Sequence, residues 1–245
     1  MSHPRRTRHH AGGRPLGRPL CVAAWLVLGF AAPLAAQSPT HSAIRFGIAY
    51  AAATPRGGFA TFAEQPAGFS SWVTLPLARG ARLGLRGEFS IFTIPESRVV
   101  VPADGLDDLT VTLRSTVGFT GAGPRITLPV GPLVLEASVM GGLTRVIADV
   151  AGQARAGAQR VSVSASESEN VLGAKGSLDF YLPLVTGQGG AALAITTGLD
   201  WATSAEVGFV ESGGLRVVDQ SRLEVATGRA AATYTAWRLG LGLYF

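Results

Sequence analysis

The feature that most restricts this chain is a period of two. In eight separate stretches, bulky apolar residues take every second position, and small or charged residues fill the positions between. Side chains of an extended strand point alternately to opposite faces, so each stretch reads as a strand with one apolar and one polar face. The first, IRFGIAYAA, sets Ile44, Phe46, Ile48 and Tyr50 against Arg45, Gly47, Ala49 and Ala51. The last, TAWRLGLGLYF, sets Trp237, Leu239, Leu241, Leu243 and Phe245 against Ala236, Arg238, Gly240, Gly242 and Tyr244.

The connections alternate in length. Short ones fall near residues 78–81, 129–132 and 184–190, and long ones near 53–66, 94–108, 149–168 and 203–228. Two long segments alternate themselves, RVSVSASE from Arg160 and LRVVDQSRLEV from Leu215, and are expected to be strands continuing above the rest. The alternation loses phase between Arg114 and Gly121 relative to Arg125, which predicts a bulge or a strand start there.

Charge first suggests a polyanion partner, but its distribution does not. Five of the 21 basic residues, Arg5, Arg6, Arg8, Arg14 and Arg18, stand in the first 20 positions, and the remaining sixteen match the 16 acidic residues. A neutral body offers no electrostatic footprint for nucleic acid. The basic start leads into CVAAWLVLGFAAPLAA, Cys21 to Ala36, which is short for a membrane-spanning helix and has the build of a secretory signal. Residues 1–37 are therefore expected to be a signal peptide, cleaved near Ala36 or Gln37, and residues 38–245 one barrel domain. Cys21 would leave with the signal, so no disulfide is expected.

The alternation fits a soluble barrel with its apolar face inward, or a membrane barrel with that face toward lipid. Three features favour lipid. The polar face is lean, mostly Gly, Ala, Ser and Thr. Its charges balance and could pair across a lumen: Arg45, Arg82, Arg86, Arg125, Lys175 and Arg238 with Glu88, Glu136, Asp179 and Asp200. Aromatic residues Tyr50, Phe69, Phe180, Trp201, Trp237 and Phe245 lie near strand ends on the apolar phase, as in the girdles of membrane barrels. In lipid no backbone group can stay unpaired, so the strands must close. The seam is expected between Ile44–Ala52 and Thr233–Phe245. The fold predicted is all-β: an eight-stranded antiparallel up-and-down transmembrane β-barrel with short periplasmic turns and long extracellular loops.

With these residues in place, the chain resembles the small outer-membrane β-barrel family of Gram-negative bacteria, the OmpA/OmpX-like eight-stranded barrels. Trp237, Leu239, Leu241, Leu243 and Phe245 look like that family's C-terminal assembly signal, and TGAGPRITLPVGPLVLEASVMGG, Thr120 to Gly142, looks like a middle hairpin. The resemblance implies outer-membrane lipid, lipopolysaccharide and, during insertion, the barrel-assembly machinery as partners. It fixes place and architecture more than activity. No peptidoglycan-binding domain is expected after the barrel.

Some small barrels are lipid-modifying enzymes that use a His with a Ser. Here His3, His9 and His10 leave with the signal and His41 precedes the first strand. Lys175 with Asp179, and Arg86 with Glu88, read as paired lumen charges. No cofactor and no metal is expected: Asp104, Asp107 and Asp108 lack the spacing of a calcium loop. Gly121/Gly123 and Gly240/Gly242 sit inside strands, so they are not phosphate loops. The leading expectation is a non-enzymatic structural or surface-interaction barrel. The alternatives are a narrow pore for small or apolar solutes, a lipid-modifying enzyme and a soluble lipocalin-like barrel.

Overall fold

The computed structural model describes residues 44–78, 82–101, 109–131, 133–156, 159–186, 191–219 and 222–245. The expected signal stretch, His41 and the Asp104, Asp107 and Asp108 cluster lie outside the described residues. Ten strands follow in order: β1 (Arg45–Arg56), β2 (Ala67–Pro76), β3 (Leu83–Val101), β4 (Leu109–Val130), β5 (Leu133–Ala156), β6 (Gln159–Thr186), β7 (Ala192–Ser204), β8 (Glu206–Asp219), β9 (Arg222–Ala231) and β10 (Thr233–Tyr244). A 3-10 turn, Gly57–Thr61, follows β1.

Eight of them close into one antiparallel barrel, in the order β1-β10-β7-β6-β5-β4-β3-β2. β1 and β10 form the seam, running from Arg45 opposite Tyr244 to Arg56 opposite Thr233. The Phe245 N–H donates to the Ile44 carbonyl at 2.9 Å, which carries the pairing to the chain's last residue. Around the belt, closure leaves no sheet edge, the condition for a β fold in hydrocarbon.

The polarity is inverted relative to a soluble barrel. Ile48, Leu85, Val139, Leu172, Leu241 and their in-phase neighbours are exposed on the outside, while Arg45, Arg86, Glu88, Arg125, Glu136, Lys175, Asp179, Asp200 and Arg238 are buried inside. This rules out the lipocalin-like alternative, which needs the apolar phase inward. All six girdle aromatics face outward, and Tyr50 meets Phe69 edge-on with ring centroids 6.1 Å apart.

β4 runs unbroken through the segment expected to hold a bulge. Val117, Phe119, Arg125 and Thr127 all point inward on one parity. The loss of phase was only apparent, because Val117 and Phe119 are apolar residues that belong to the interior. The irregularity sits on the neighbouring strand, between Ile94 and Ser97 of β3.

The wall is uneven in height. β1, β2, β7 and β10 have 12, 10, 13 and 12 residues, close to the roughly 9–11 that a tilted strand needs to cross a bilayer. β3 to β6 have 19, 22, 24 and 28 residues and continue as a crown at the long-loop end. RVSVSASE is part of that crown, with β5 and β6 paired as far as Ala156 opposite Gln159. LRVVDQSRLEV is not. Its described residues lie in the hairpin β8–β9, a separate two-stranded sheet instead of an extension of the wall. Only Ala205 and Ala232 separate this hairpin from β7 and β10, so it springs directly from the rim.

Candidate functional site: the charged lumen and its cap

Nine of the ten predicted lumen charges are buried and linked in one network. Alternation along β1, β3, β4, β5, β6, β7 and β10 aims them inward, and closure brings them within reach. Glu88 accepts from Arg86 Nε and Nη2 at 3.0 and 2.7 Å, from Ser70 at 3.1 Å, from Arg238 at 3.3 Å and from Lys175. Glu136 accepts from Arg45, Arg86 and Arg125 at 2.9, 3.2 and 3.2 Å. Asp179 bridges Arg86 and, at 2.7 Å, Arg238. Asp200 lies 2.8 Å from Lys175 and 2.9 Å from Arg238, and accepts from Ser177 at 2.8 Å. A buried charge stays ionised only when paired and hydrogen-bonded, and these carboxylates each touch two or more cations.

Arg82 is the exception and corrects the expectation. It lies ahead of β3, its side chain is exposed, and its carbonyl accepts the Thr127 N–H at 2.8 Å. It shares parity with Arg86, but at the barrel rim parity no longer confines a side chain to the lumen.

Aromatic residues that the sequence reading did not single out hold the network. Both the Arg86 and Arg238 guanidinium carbons lie 4.9 Å from the Trp72 ring, and the Trp72 indole donates to the Tyr181 hydroxyl at 2.9 Å. Tyr181 and Tyr244 pack edge-on beside Arg45. The signal was parity: Trp72, Tyr181 and Tyr244 all fall on the polar phase of their strands.

Toward the long-loop end the lumen turns apolar. Ala51, Ala53, Phe92, Val117, Val146, Ala202, Tyr234 and Ala236 form one cluster with Phe59 of the 3-10 turn and Val207 and Phe209 of β8. The Phe209 ring lies 5.0 Å from Phe59 and 5.4 Å from Phe62, stacked on the latter. Val210 packs on Leu113 and Ala148, the inner face of the crown. The hairpin and the 3-10 turn thus cap the barrel's mouth with buried aromatic surface. Glu169 of β6, above the apolar belt, ties the hairpin down. Its carboxylate accepts the Gly208 N–H and Arg229, each at 2.9 Å. The Gly208 bond first, then Arg229, holds that carboxyl below the usual glutamate range.

Chemically the lumen is committed to pairing. The Lys175 ammonium is held by Glu88 and Asp200, so it is not poised as a free base or nucleophile. Among the described residues, no group of three or more His, Cys, Asp or Glu could hold a metal ion. The residues read as an assembly signal, Trp237, Leu239, Leu241, Leu243 and Phe245, stand on the outer face beside the seam.

A closed eight-stranded barrel with an apolar outer belt and a charge-paired interior is a transmembrane β-barrel of the outer-membrane kind. No protein-family model matches this sequence, and neither does any curated protein. Solved structures do match. Ail, the attachment invasion locus protein of Yersinia pestis in complex with the heparin analogue sucrose octasulfate, is 14% identical with a TM-score of 0.44, over 83% of this chain and 97% of that one. Neisserial surface protein A is 9% identical with a TM-score of 0.38, over 85% and 98%. A major outer membrane protein from Thermus thermophilus is 14% identical with a TM-score of 0.41, over 82% and 99%. At such identities and scores the matches carry no function across; the barrel's own geometry defines the class.

Proposed function

We propose that this chain is a non-enzymatic integral protein of the outer membrane, exported by a signal within residues 1–37, that reinforces the membrane and meets partners through its long-loop end. The observation that supports this best is the filled interior. Apolar cap, charge network and aromatic floor follow one another along the lumen, which leaves little for a pore, and the Lys175 ammonium, paired with Glu88 and Asp200, is not free to activate a hydroxyl for lipid chemistry. The surfaces left for partners are the lipid belt and the crown of β3 to β6 with the hairpin. On this reading the outer belt meets lipid and lipopolysaccharide, and the assembly machinery takes up the strand ending in Phe245.

The test combines three readouts on the refolded mature protein. Unboiled protein should migrate faster than boiled protein in a detergent gel, reconstituted bilayers should show no steady conductance, and lipid A from producing cells should keep its mass. Steady single-channel steps would favour the pore, and altered lipid A would favour an enzyme.

A further inference from the structure

We propose that the short-turn half of the lumen is a binding site for a small oxyanion of the phosphate or sulfate class, gripped between Arg45 and Arg125. Both side chains are fully buried, and each gives its Nη1 to the same Glu136 oxygen, at 2.9 and 3.2 Å. In both, the Nε and Nη2 atoms have no hydrogen-bond partner. Nε–H and Nη2–H of an arginine point the same way and form the side-on fork that suits two oxygens of an oxyanion. Arg86 shows the same fork in use, with Nε and Nη2 at 3.0 and 2.7 Å from Glu88. Two such forks lack a partner in one stretch of lumen.

Their surroundings point the same way. Thr74 and Tyr244 stand opposite Arg45 on the adjacent strands, and Ser138 stands opposite Arg125. The hydroxyls of all three are buried without a partner. Gly84, also opposite Arg125, gives way to it: a Cβ there would sit 2.6 Å from Arg125 Nε. Buried unpaired donors are destabilising and rare in folded proteins, so a cluster of them calls for a partner. Charge selects which. Among the described residues, five buried cations face four buried carboxylates in the lumen. Water would satisfy the donors but leave the excess positive charge; an oxyanion answers both. Three guanidiniums already surround Glu136, so its carboxylate does not repel the ion unopposed.

The test uses the full refolded barrel in zwitterionic detergent and chloride buffer, titrated with sodium sulfate at constant ionic strength. Sulfate should raise the unfolding temperature saturably, and calorimetry should count one site per barrel. Arg125→Gln should weaken the apparent affinity by about tenfold or more, as loss of a charged bidentate contact implies. Arg114→Gln, at an exposed position on the crown, should leave it unchanged. Should Arg125→Gln fail to fold, Thr74→Val and Ser138→Ala carry the comparison, each expected to weaken binding several-fold. No saturable response in the wild type, or equal responses in the lumen variants and Arg114→Gln, overturns the proposal; the first means water fills the site, the second a general salt effect.

Discussion

Glu88 shows what one interior residue decides. It accepts from Arg86, Lys175, Arg238 and Ser70, three cations and a hydroxyl that are all buried with it. Breaking a buried pair by removing one partner costs about 3–5 kcal/mol, because an uncompensated charge remains. Glu88→Gln should therefore destabilise the folded barrel by that amount in urea titrations on lipid vesicles, while Thr54→Ala on the outer face should change little. Gly47 makes a steric counterpart. A Cβ there would run into the Trp72 ring. Gly47→Ala should cost about 1–3 kcal/mol by overpacking, with a shifted Trp72 fluorescence maximum as its signature. Parity made most of these residues legible in the sequence, since nine of the ten expected charges do face the lumen. Which partner each takes was not legible, because Arg86 reaches Glu136 and Asp179 across 50 and 93 residues of chain. Arg82 and Phe119 mark the limit of parity: one is charged yet outside, the other apolar yet inside.

Among the elements, the hairpin β8–β9 departs furthest from its sequence pattern. Its alternation looks like that of a wall strand, and only the direction taken at Ala205 and Ala232 tells them apart. The hairpin is held by the aromatic stack of Phe209 with Phe59 and Phe62 and by the Glu169 contacts to Gly208 and Arg229. The Glu169 carboxyl is held below its ordinary range in the fold, so its stabilising effect is present above the unfolded glutamate pKa. That effect fades as pH falls through the depressed folded value. Glu169→Gln should speed hydrogen exchange at the Gly208 amide at neutral pH and flatten its acid dependence. Unchanged exchange in this variant would remove Glu169 as the tie. Phe209→Ala should loosen the cap further, read as protease cleavage within β8–β9 with the barrel still heat-modifiable.

At the scale of the whole molecule, the outer belt sets where the protein can exist. Leu241 pairs with Ile48 and Ile195 on neighbouring strands, deep in the apolar band. Leu241→Arg should cost about 2–4 kcal/mol if it sits at the midplane, against about 0–1 for an arginine near the interface. Substituting Phe245 instead should slow assembly in cells more than it lowers equilibrium stability of protein refolded in detergent, if the terminal strand is read as a signal.

The sequence by itself determined the strand periodicity, the closure it demands, the face given to lipid and the inward set of charges. All are local consequences of alternation in a solvent that cannot hydrogen-bond the backbone. Only the tertiary structure decided the partners within the charge network, the turning of β8–β9 across the mouth, and the two unpartnered arginine forks above the short turns. Those depend on which residues meet across the lumen, a distance in space that a repeat of two residues cannot encode.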